Sequence, residues 1–125
     1  MLIDTDVIIW YMNGNQNALK KIEECKGFSI SVVTYMELVQ GMRNKDELTA
    51  LRKALKSWKT TIEYITEEIS SRAMFYVERH YLSHSMQLAD ALIAATAISH
   101  GVPLVTGNIK HYKILQHIQT VKFTP

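Results

Sequence analysis

Cysteine and proline are scarce in this sequence of 125 residues, and their scarcity excludes several classes of protein. The single cysteine, Cys25, cannot form an internal disulfide, so the chain lacks the disulfide framework of many small secreted domains. Of the two prolines, one is the last residue, and no Pro-, Gly- or Ser-rich linker divides the chain. We therefore expect residues 1–125 to fold as a single domain.

Long apolar runs and a basic leader are absent as well. No stretch reaches the roughly 18 apolar residues that a membrane span requires, and no basic region precedes an apolar run at the N-terminus. We therefore expect a cytoplasmic protein with no membrane partner. The formal net charge of +2 tolerates a nucleic-acid partner but does not indicate one, because committed nucleic-acid binders usually carry denser positive charge.

Short apolar segments alternate with amphipathic ones along the chain. Strands are predicted at residues 2–5, 28–31, 60–65, 104–106 and 120–123. Helices are predicted at residues 18–25, 34–43, 45–58, from Thr66 onward, at 87–100 and at 108–115. Residues 7–11 fit either a strand or a helix. Strands that alternate with helices predict an α/β layered fold with a mostly parallel sheet.

Two aspartates stand among residues that the pattern otherwise predicts to be apolar and buried. Asp4 ends the first strand, and ligands in open parallel sheets bind at the carboxyl ends of strands. Asp90 is the only charge in an almost wholly apolar helix, where an uncompensated carboxylate is costly. Asp4 could instead cap the following backbone, and Asp90 could be a first-turn residue favoured by the helix dipole. We interpret both as functional residues.

Glu37 is ambiguous when it is taken alone. It is the fourth residue of the segment that begins at Thr34, and this segment has the spacing of a capping box at a helix start. In that interpretation the Glu37 side chain reaches back to the backbone and has no chemical role. Glu37 becomes a candidate site residue only together with Asp4 and Asp90.

Three segments, in this order, resemble those of PIN-domain ribonucleases, and most of all those of the VapC toxins of bacterial toxin–antitoxin pairs. They are residues 2–7 (LIDTDV), 31–38 (SVVTYMEL) with Gly41 after it, and 90–97 (DALIAATA) followed by 104–108 (LVTGN). The opening LIDTDV and the closing LVTGN are each weak signals on their own. The run 90–97 placed before LVTGN is fairly specific. The ordered set covers essentially the whole chain.

This resemblance implies a PIN-like three-layer α/β/α fold and a Mg²⁺-dependent endoribonuclease, with Mn²⁺ as a substitute ion. It also implies an RNA substrate, a cognate antitoxin and a homodimer. Asp4, Glu37 and Asp90 match the three recurrent acidic positions of the family and are predicted to be catalytic and to bind the metal. Asn108 falls where many relatives have a fourth acid, and we predict a catalytic role for it too.

The residue types agree with this chemistry. Mg²⁺ prefers oxygen ligands, takes one or two carboxylates and keeps several waters. We expect Asp4 and Asp90 to be the principal ligands, and Glu37 to complete the shell or to orient the attacking water. Asn108, with Thr106, is expected to hydrogen-bond ligand water or phosphate.

Other polar residues carry weaker signals. Asp6 either caps the first turn of a helix, which we favour, or substitutes for the missing fourth acid. His111, one turn after Asn108, could approach the site but is predicted to be a surface residue. Four basic residues at helical spacing form either a stripe that grips RNA or an ordinary solvated face: Lys45, Arg52, Lys56 and Lys59.

Two other functions compete with the nuclease. Asp4 and Asp6 fit the Asp-x-Asp signature of haloacid-dehalogenase-type phosphatases, with Asp4 as nucleophile and Asp6 as acid. That family also needs a late acidic metal motif, but no aspartate follows Asp90, and the chain is short for that fold. The other alternative is a catalytically inert PIN-like module that binds RNA or protein, and only Asn108 favours it. The substitution Asp6→Asn should abolish a phosphatase but leave a PIN nuclease mostly intact.

Overall fold

A sheet of five short strands forms the centre of the protein, whose computed structural model describes residues 1–125. The strands are β1 (Leu2–Ile3), β2 (Ser29–Ser31), β3 (Thr61–Glu63), β4 (Leu104–Thr106) and β5 (Thr120–Lys122). They lie in the order β3-β2-β1-β4-β5, and every neighbouring pair is parallel. The predicted α/β fold with a parallel sheet is therefore confirmed.

Seven helices connect the strands and cover both faces of the sheet. They are α1 (Thr5–Met12), α2 (Gln16–Glu24), α3 (Val32–Gln40), α4 (Lys45–Ser57), α5 (Glu67–His84), α6 (Leu88–His100) and α7 (Ile109–Tyr112). Leu2 and Leu104 pack with α5 and α6 on one face, and Ile3 and Val105 pack with α1 and α4 on the other. This is the predicted three-layer α/β/α arrangement. None of the helices is long and apolar enough to cross a lipid bilayer.

Several helix boundaries follow capping signals in the sequence. The side chains of Asn44 and Thr66 accept hydrogen bonds from backbone amides in the first turns of α4 and α5. Gly101 takes the left-handed conformation, with φ of 64°, at the end of α6. The helices predicted at 45–58, from Thr66 and at 87–100 are therefore confirmed.

The prediction was wrong about the start of α3. This helix begins at Val32, because Ser31 is its N-cap and accepts a hydrogen bond from the Val33 amide at 3.1 Å. The strand β2 therefore passes directly into α3, and Thr34 lies inside the helix instead of capping it. The capping-box interpretation of Glu37 is wrong for the same reason.

Residues 7–11, which fitted either a strand or a helix, belong to α1. The strand before them ends at Ile3, because Asp4 is already the N-cap of α1. The strand predicted at 60–65 and the helix predicted at 108–115 are also shorter in the structure. Hydrophobic periodicity identifies an element better than it locates the ends of that element.

The start of α6 is less buried than its apolar composition predicts. Residues 93–97 are buried, but Leu88 is 71% exposed. Asp90 lies in the first turn of the helix, near this exposed end. The expectation that core residues surround Asp90 on both sides is therefore wrong on the side of Leu88.

The carboxyl ends of β1 and β4 lie side by side in the middle of the sheet, with Ile3 paired to Val105. From β1 the chain extends the sheet on one side through β2 and β3, and it then returns to add β4 and β5 on the other side. Ligand sites of open parallel sheets form where the strand order reverses in this way. Asp4 follows β1 at this point, and Thr106 ends β4.

Candidate active site

Asp4 is a buried carboxylate that three hydrogen bonds hold in place. The residue is only 4% exposed. Its Oδ1 accepts a hydrogen bond from the Thr5 amide at 2.8 Å. Its Oδ2 accepts hydrogen bonds from the hydroxyl of Thr106 at 2.8 Å and from that of Tyr112 at 2.9 Å. All three donors are neutral, so these hydrogen bonds leave the negative charge of Asp4 without a positive partner.

The pKa of the Asp4 carboxyl reflects this lack of compensation. Burial, and then the negative charge of Asp6, raise the pKa of Asp4 from 3.8 to about 6, although the hydrogen bonds from Thr106, Tyr112 and Thr5 oppose the rise. A bound cation would supply the favourable interaction that the ionised carboxylate lacks.

The backbone of Gly107, just after β4, orients the side chain of Asp6 in the first turn of α1. Its Oδ2 accepts a hydrogen bond from the Gly107 amide at 2.9 Å, whereas its Oδ1 is buried without a hydrogen-bond partner. Burial raises the pKa of Asp6, and the Gly107 amide opposes this effect. A Cβ atom at position 107 would lie 2.7 Å from Asp6 Oδ2, so this approach requires glycine. Asp6 lies in the first turn of α1, but Asp4 is the N-cap and the Asp6 carboxylate binds Gly107, so the prediction that Asp6 caps this turn is wrong.

Asp90 reaches the same edge of the sheet from the first turn of α6. Its side chain is 25% exposed, and its Oδ2 lies 3.6 Å from Nδ1 of His111. Its Oδ1 lies 3.4 Å from the hydroxyl of Tyr112, which also binds Asp4. Asp90 is therefore both a first-turn residue that the helix dipole favours and a carboxylate of the site.

Tyr112 links two of the predicted acids, and sequence reasoning missed it. The residue is fully buried, and its hydroxyl contacts Asp4 and Asp90. Burial, followed by the charges of the two carboxylates, raises the pKa of Tyr112 above its usual value, so the hydroxyl keeps its proton and acts as a donor. The one signal in the sequence is its position, about one helical turn after Asn108.

Glu37, in α3, is connected to the site by the hydroxyl of Thr5, the residue that follows Asp4. The Thr5 hydroxyl lies 2.7 Å from Glu37 Oε1 and 2.9 Å from Thr34 Oγ1. Because this hydroxyl has one proton, it donates to the carboxylate and accepts from Thr34. Glu37 is thus brought next to the residue that follows Asp4. Neither threonine was predicted to orient a site acid.

Asn108 lies at the edge of the site, where its backbone makes the observed contact. The Asn108 amide donates a hydrogen bond to Thr106 Oγ1 at 2.9 Å, and Thr106 in turn donates to Asp4. The Asn108 side chain does not cap α7, and the residue is exposed. The catalytic role of this side chain stays a prediction.

His111 is a surface residue, as predicted, and also a neighbour of the acids. Its side chain is 58% exposed, and with His84 and Asp90 it lines a small cavity of about 220 Å³. None of the four basic residues that were predicted to grip RNA lines this cavity: Lys45, Arg52, Lys56 and Lys59. All four are exposed, so their role in RNA binding stays a prediction.

The donor set fits a hard divalent cation, although the acids are not gathered around one point. No group of three or more His, Cys, Asp or Glu residues is placed so that it could hold a metal ion. Mg²⁺ commonly takes only one or two carboxylates and keeps several waters, so it does not require such a group. The uncompensated Asp4 carboxylate and the buried, unpartnered Oδ1 of Asp6 fit such an ion. The metal shell of Asp4, Glu37 and Asp90 stays a prediction.

Similar structures agree with this architecture. A toxin–antitoxin complex from Klebsiella pneumoniae superposes with a TM-score of 0.80 at 27% identity, covering 97% of this chain and 95% of that chain. DNA-bound VapBC from Salmonella typhimurium shares the fold, with a TM-score of 0.81 at 17% identity over 98% of this chain and 97% of that one.

Sequence comparisons identify the family. The PIN domain family matches residues 1–115. Ribonuclease VapC10 of Mycobacterium tuberculosis is 32% identical over 123 residues, which cover 95% of this chain and 90% of that protein. Ribonuclease VapC1 of Methanocaldococcus jannaschii is 32% identical over 120 residues, which cover 93% of this chain and 81% of that protein. The chain therefore belongs to the PIN-domain family, with VapC ribonucleases among its relatives.

Proposed function

We propose that this protein is a metal-dependent endoribonuclease and the toxin component of a toxin–antitoxin pair. One observation carries the proposal: Asp4 and Asp90 meet at the hydroxyl of Tyr112, at the carboxyl edge of the sheet, where Asp4 is buried without a positive partner. Membership of the PIN-domain family, and relatives that are named ribonucleases, support RNA as the substrate.

Mg²⁺ is the ion that we propose for this site, with Mn²⁺ as its substitute. Asp4 and Asp90 would hold the ion, and Glu37 would complete the shell, because hard cations prefer carboxylate oxygens. When it is bound, the ion supplies a Lewis acid for the scissile phosphodiester and lowers the pKa of an attacking water.

The protein's own residues orient the acids for this reaction. Thr106 and Tyr112 both donate to Oδ2 of Asp4, so the plane of this carboxylate is fixed. The Thr5 hydroxyl holds Glu37 in a similar way, which leaves the carboxylate of Glu37 at the site to orient a water molecule or accept its proton. The exposed side chain of Asn108 is free to donate a hydrogen bond to phosphate.

We further propose that a cognate antitoxin holds the protein inactive, and that the protein forms a homodimer in the cytoplasm. The structural relatives include a toxin–antitoxin complex and VapBC bound to DNA, which supports a protein partner. Large apolar side chains on α5 and at the start of α6 are well exposed, which is the surface that such contacts use: Met74, Leu82 and Leu88.

The phosphatase alternative lacks support. The chain belongs to the PIN-domain family, and the Oδ2 of Asp6, which a phosphatase would need as its acid, already accepts a hydrogen bond from the Gly107 amide. The inert PIN-like module shares the fold with the nuclease, so only an assay of activity separates these two functions.

The decisive experiment is cleavage of total RNA by the purified protein in Mg²⁺ or Mn²⁺. Asp4→Asn removes the proposed ligand, and Asp46→Asn, an exposed acid in the first turn of α4, is the matched control. We expect discrete fragments that disappear with EDTA and in Asp4→Asn but persist in Asp46→Asn. If folded, antitoxin-free protein cuts no RNA with either ion, the nuclease proposal fails and the inert module replaces it.

A further inference from the structure

A second cavity, of about 750 Å³, lies between α5 and the segment that follows α7. Its volume is within the range of roughly 300–1,000 Å³ that is typical of ligand sites. Arg72, Phe75, Arg79 and His80 line it from α5, and His117 lines it from the opposite segment. None of the acids of the candidate active site lines this cavity, so it is a separate feature of the surface.

Positive charge exceeds negative charge in the lining of this cavity. The lining includes two arginines, Arg72 and Arg79, and one acid, Glu68. A single Nη atom of Arg72 contacts Glu68 at 3.4 Å, and the Nε of Arg72 is buried without a hydrogen-bond partner. Arg79 is exposed and forms no salt bridge, so its guanidinium is available to an anion such as a phosphate.

An aromatic ring accompanies these cations. Phe75 is 53% exposed, and the guanidinium carbon of Arg79 lies 5.9 Å from the centre of its ring. Exposed aromatic rings next to arginines are the combination that binds single-stranded nucleic acids, because a base stacks on the ring while the arginine contacts the backbone. A simple anion would use the arginines but would leave Phe75 without a role.

The helix α5 connects this cavity to the acids. Its residues 72, 76, 80 and 84 lie at intervals of four and therefore share one face. The rings of His80 and His84 are 5.6 Å apart, and His84 lines the small cavity that contains Asp90 and His111. His80, which lines the larger cavity, and His84 are separated by about 6 Å along the helix axis on the same face, so one extended strand of RNA can contact both.

We propose that this cavity binds the single-stranded RNA segment next to the scissile phosphate. Arg72 and Arg79 contact phosphates, and Phe75 stacks against a base. The inference rests on the proposed ribonuclease function and adds the path of the substrate beyond the acids.

The test is binding of a labelled single-stranded RNA oligonucleotide in EDTA, where the proposed metal-dependent cleavage cannot occur. The double variant Arg72→Gln/Arg79→Gln removes both cations of the cavity, and glutamine preserves the helix. The matched control, Lys20→Gln/Lys53→Gln, removes two exposed cations that line neither cavity and lie outside the predicted basic stripe. Phe75→Leu removes the ring alone, and thermal unfolding of each variant checks its fold.

We expect the cavity variant to bind RNA at least about tenfold more weakly. The slope of log affinity against log salt concentration should become shallower by roughly 1.4, or about 0.7 for each lost phosphate contact. Phe75→Leu should weaken binding severalfold without changing the salt dependence, because stacking is not ionic. Equal losses in the cavity and control variants, or no RNA binding by the unaltered protein, would overturn the inference.

Cleavage of RNA by the unaltered protein in Mg²⁺ separates this inference from the proposed function. If the protein cleaves RNA and the cavity variants bind it normally, the inference fails and the nuclease stands. If the cavity variants lose RNA binding but the unaltered protein never cleaves, the cavity stands as an RNA site and the nuclease fails.

Discussion

The hydroxyl of Tyr112 donates a hydrogen bond to Oδ2 of Asp4 at 2.9 Å, although 108 positions separate the two residues in sequence. The same hydroxyl lies 3.4 Å from Oδ1 of Asp90. Tyr112 touches neither substrate nor metal in our proposal and acts through the two acids. We therefore regard it as a positioning residue that fixes the relative placement of the proposed metal ligands.

Tyr112→Phe should retain the packing of the ring and lose only this link. We expect metal affinity to fall by roughly 10- to 100-fold, as is common when a residue that orients a metal ligand is lost. Titration of Mg²⁺ by calorimetry, and of activity against Mg²⁺ concentration, measures the effect. Tyr64→Phe, at a tyrosine that is 69% exposed, is the control. Unchanged Mg²⁺ affinity in Tyr112→Phe would refute the positioning role.

Asp4→Asn should abolish most activity without destabilising the fold. We expect RNA cleavage to fall by more than about 100-fold, because a direct ligand matters more than a residue that only orients one. The free energy of unfolding at neutral pH should be unchanged or higher, because the substitution removes a buried, uncompensated charge. Cleavage rates and chemical denaturation test the two parts separately. A severe loss of stability would instead indicate that Asp4 is mainly structural.

The metal-free protein should lose stability as the pH rises through about 6, the raised pKa of Asp4. The folded state holds the Asp4 proton more tightly than the unfolded state, whose pKa is 3.8. The contribution of Asp4 to the free energy of unfolding is therefore complete below pH 3.8 and is lost above pH 6, a difference of up to about 3 kcal/mol.

Thermal unfolding in EDTA across this pH range measures the effect. The difference between the curves of the unaltered protein and Asp4→Asn isolates the contribution of Asp4. Added Mg²⁺ should reduce the loss of stability, because a cation favours the ionised carboxylate. Parallel curves for the two proteins would show that the proton affinity of Asp4 is the same in the folded and unfolded states.

Gly107→Ala should disturb the site because the new methyl group collides with Asp6. A Cβ atom there would lie 2.7 Å from Oδ2 of Asp6, where the Gly107 amide now donates its hydrogen bond. We expect a destabilisation of about 1–3 kcal/mol and weaker cleavage. Gly41→Ala is the matched control, because its Cβ would meet nothing closer than 3.4 Å and its φ of −83° suits alanine. Similar behaviour of both variants would show that Asp6 moves aside at little cost.

Local sequence was sufficient to predict the elements around the site and to identify two of its acids. The strand β4 occupies the predicted residues 104–106, and α6 ends before Gly101, because apolar runs and a left-handed glycine act through their immediate neighbours. Asp4 and Asp90 were predicted to be functional because burying a carboxylate in an apolar segment costs free energy. The structure brings both of them to one edge of the sheet, where the hydroxyl of Tyr112 contacts each.

The start of α3 shows where local signals become insufficient. Ser31 and Thr34 both have side chains that can cap a helix, and the capping-box spacing predicted Thr34. Ser31 caps it because β2, whose last residue pairs with Glu63 of β3, ends there. The choice between the two caps was made by strand pairing, which depends on a segment about 30 residues away.

Long-range packing brings together the residues that meet around the acids. Tyr112 reaches Asp4 across 108 positions, and Gly107 reaches Asp6 across 101. Hydrophobic periodicity predicts neither contact, because it indicates whether a residue is buried but not which residues lie next to it. The placement of β4 beside β1 brings these segments together, and that order is set by packing across the whole sheet. The acids of the site could therefore be predicted from local sequence, whereas the contacts that orient them depend on the packing of segments far apart in the chain.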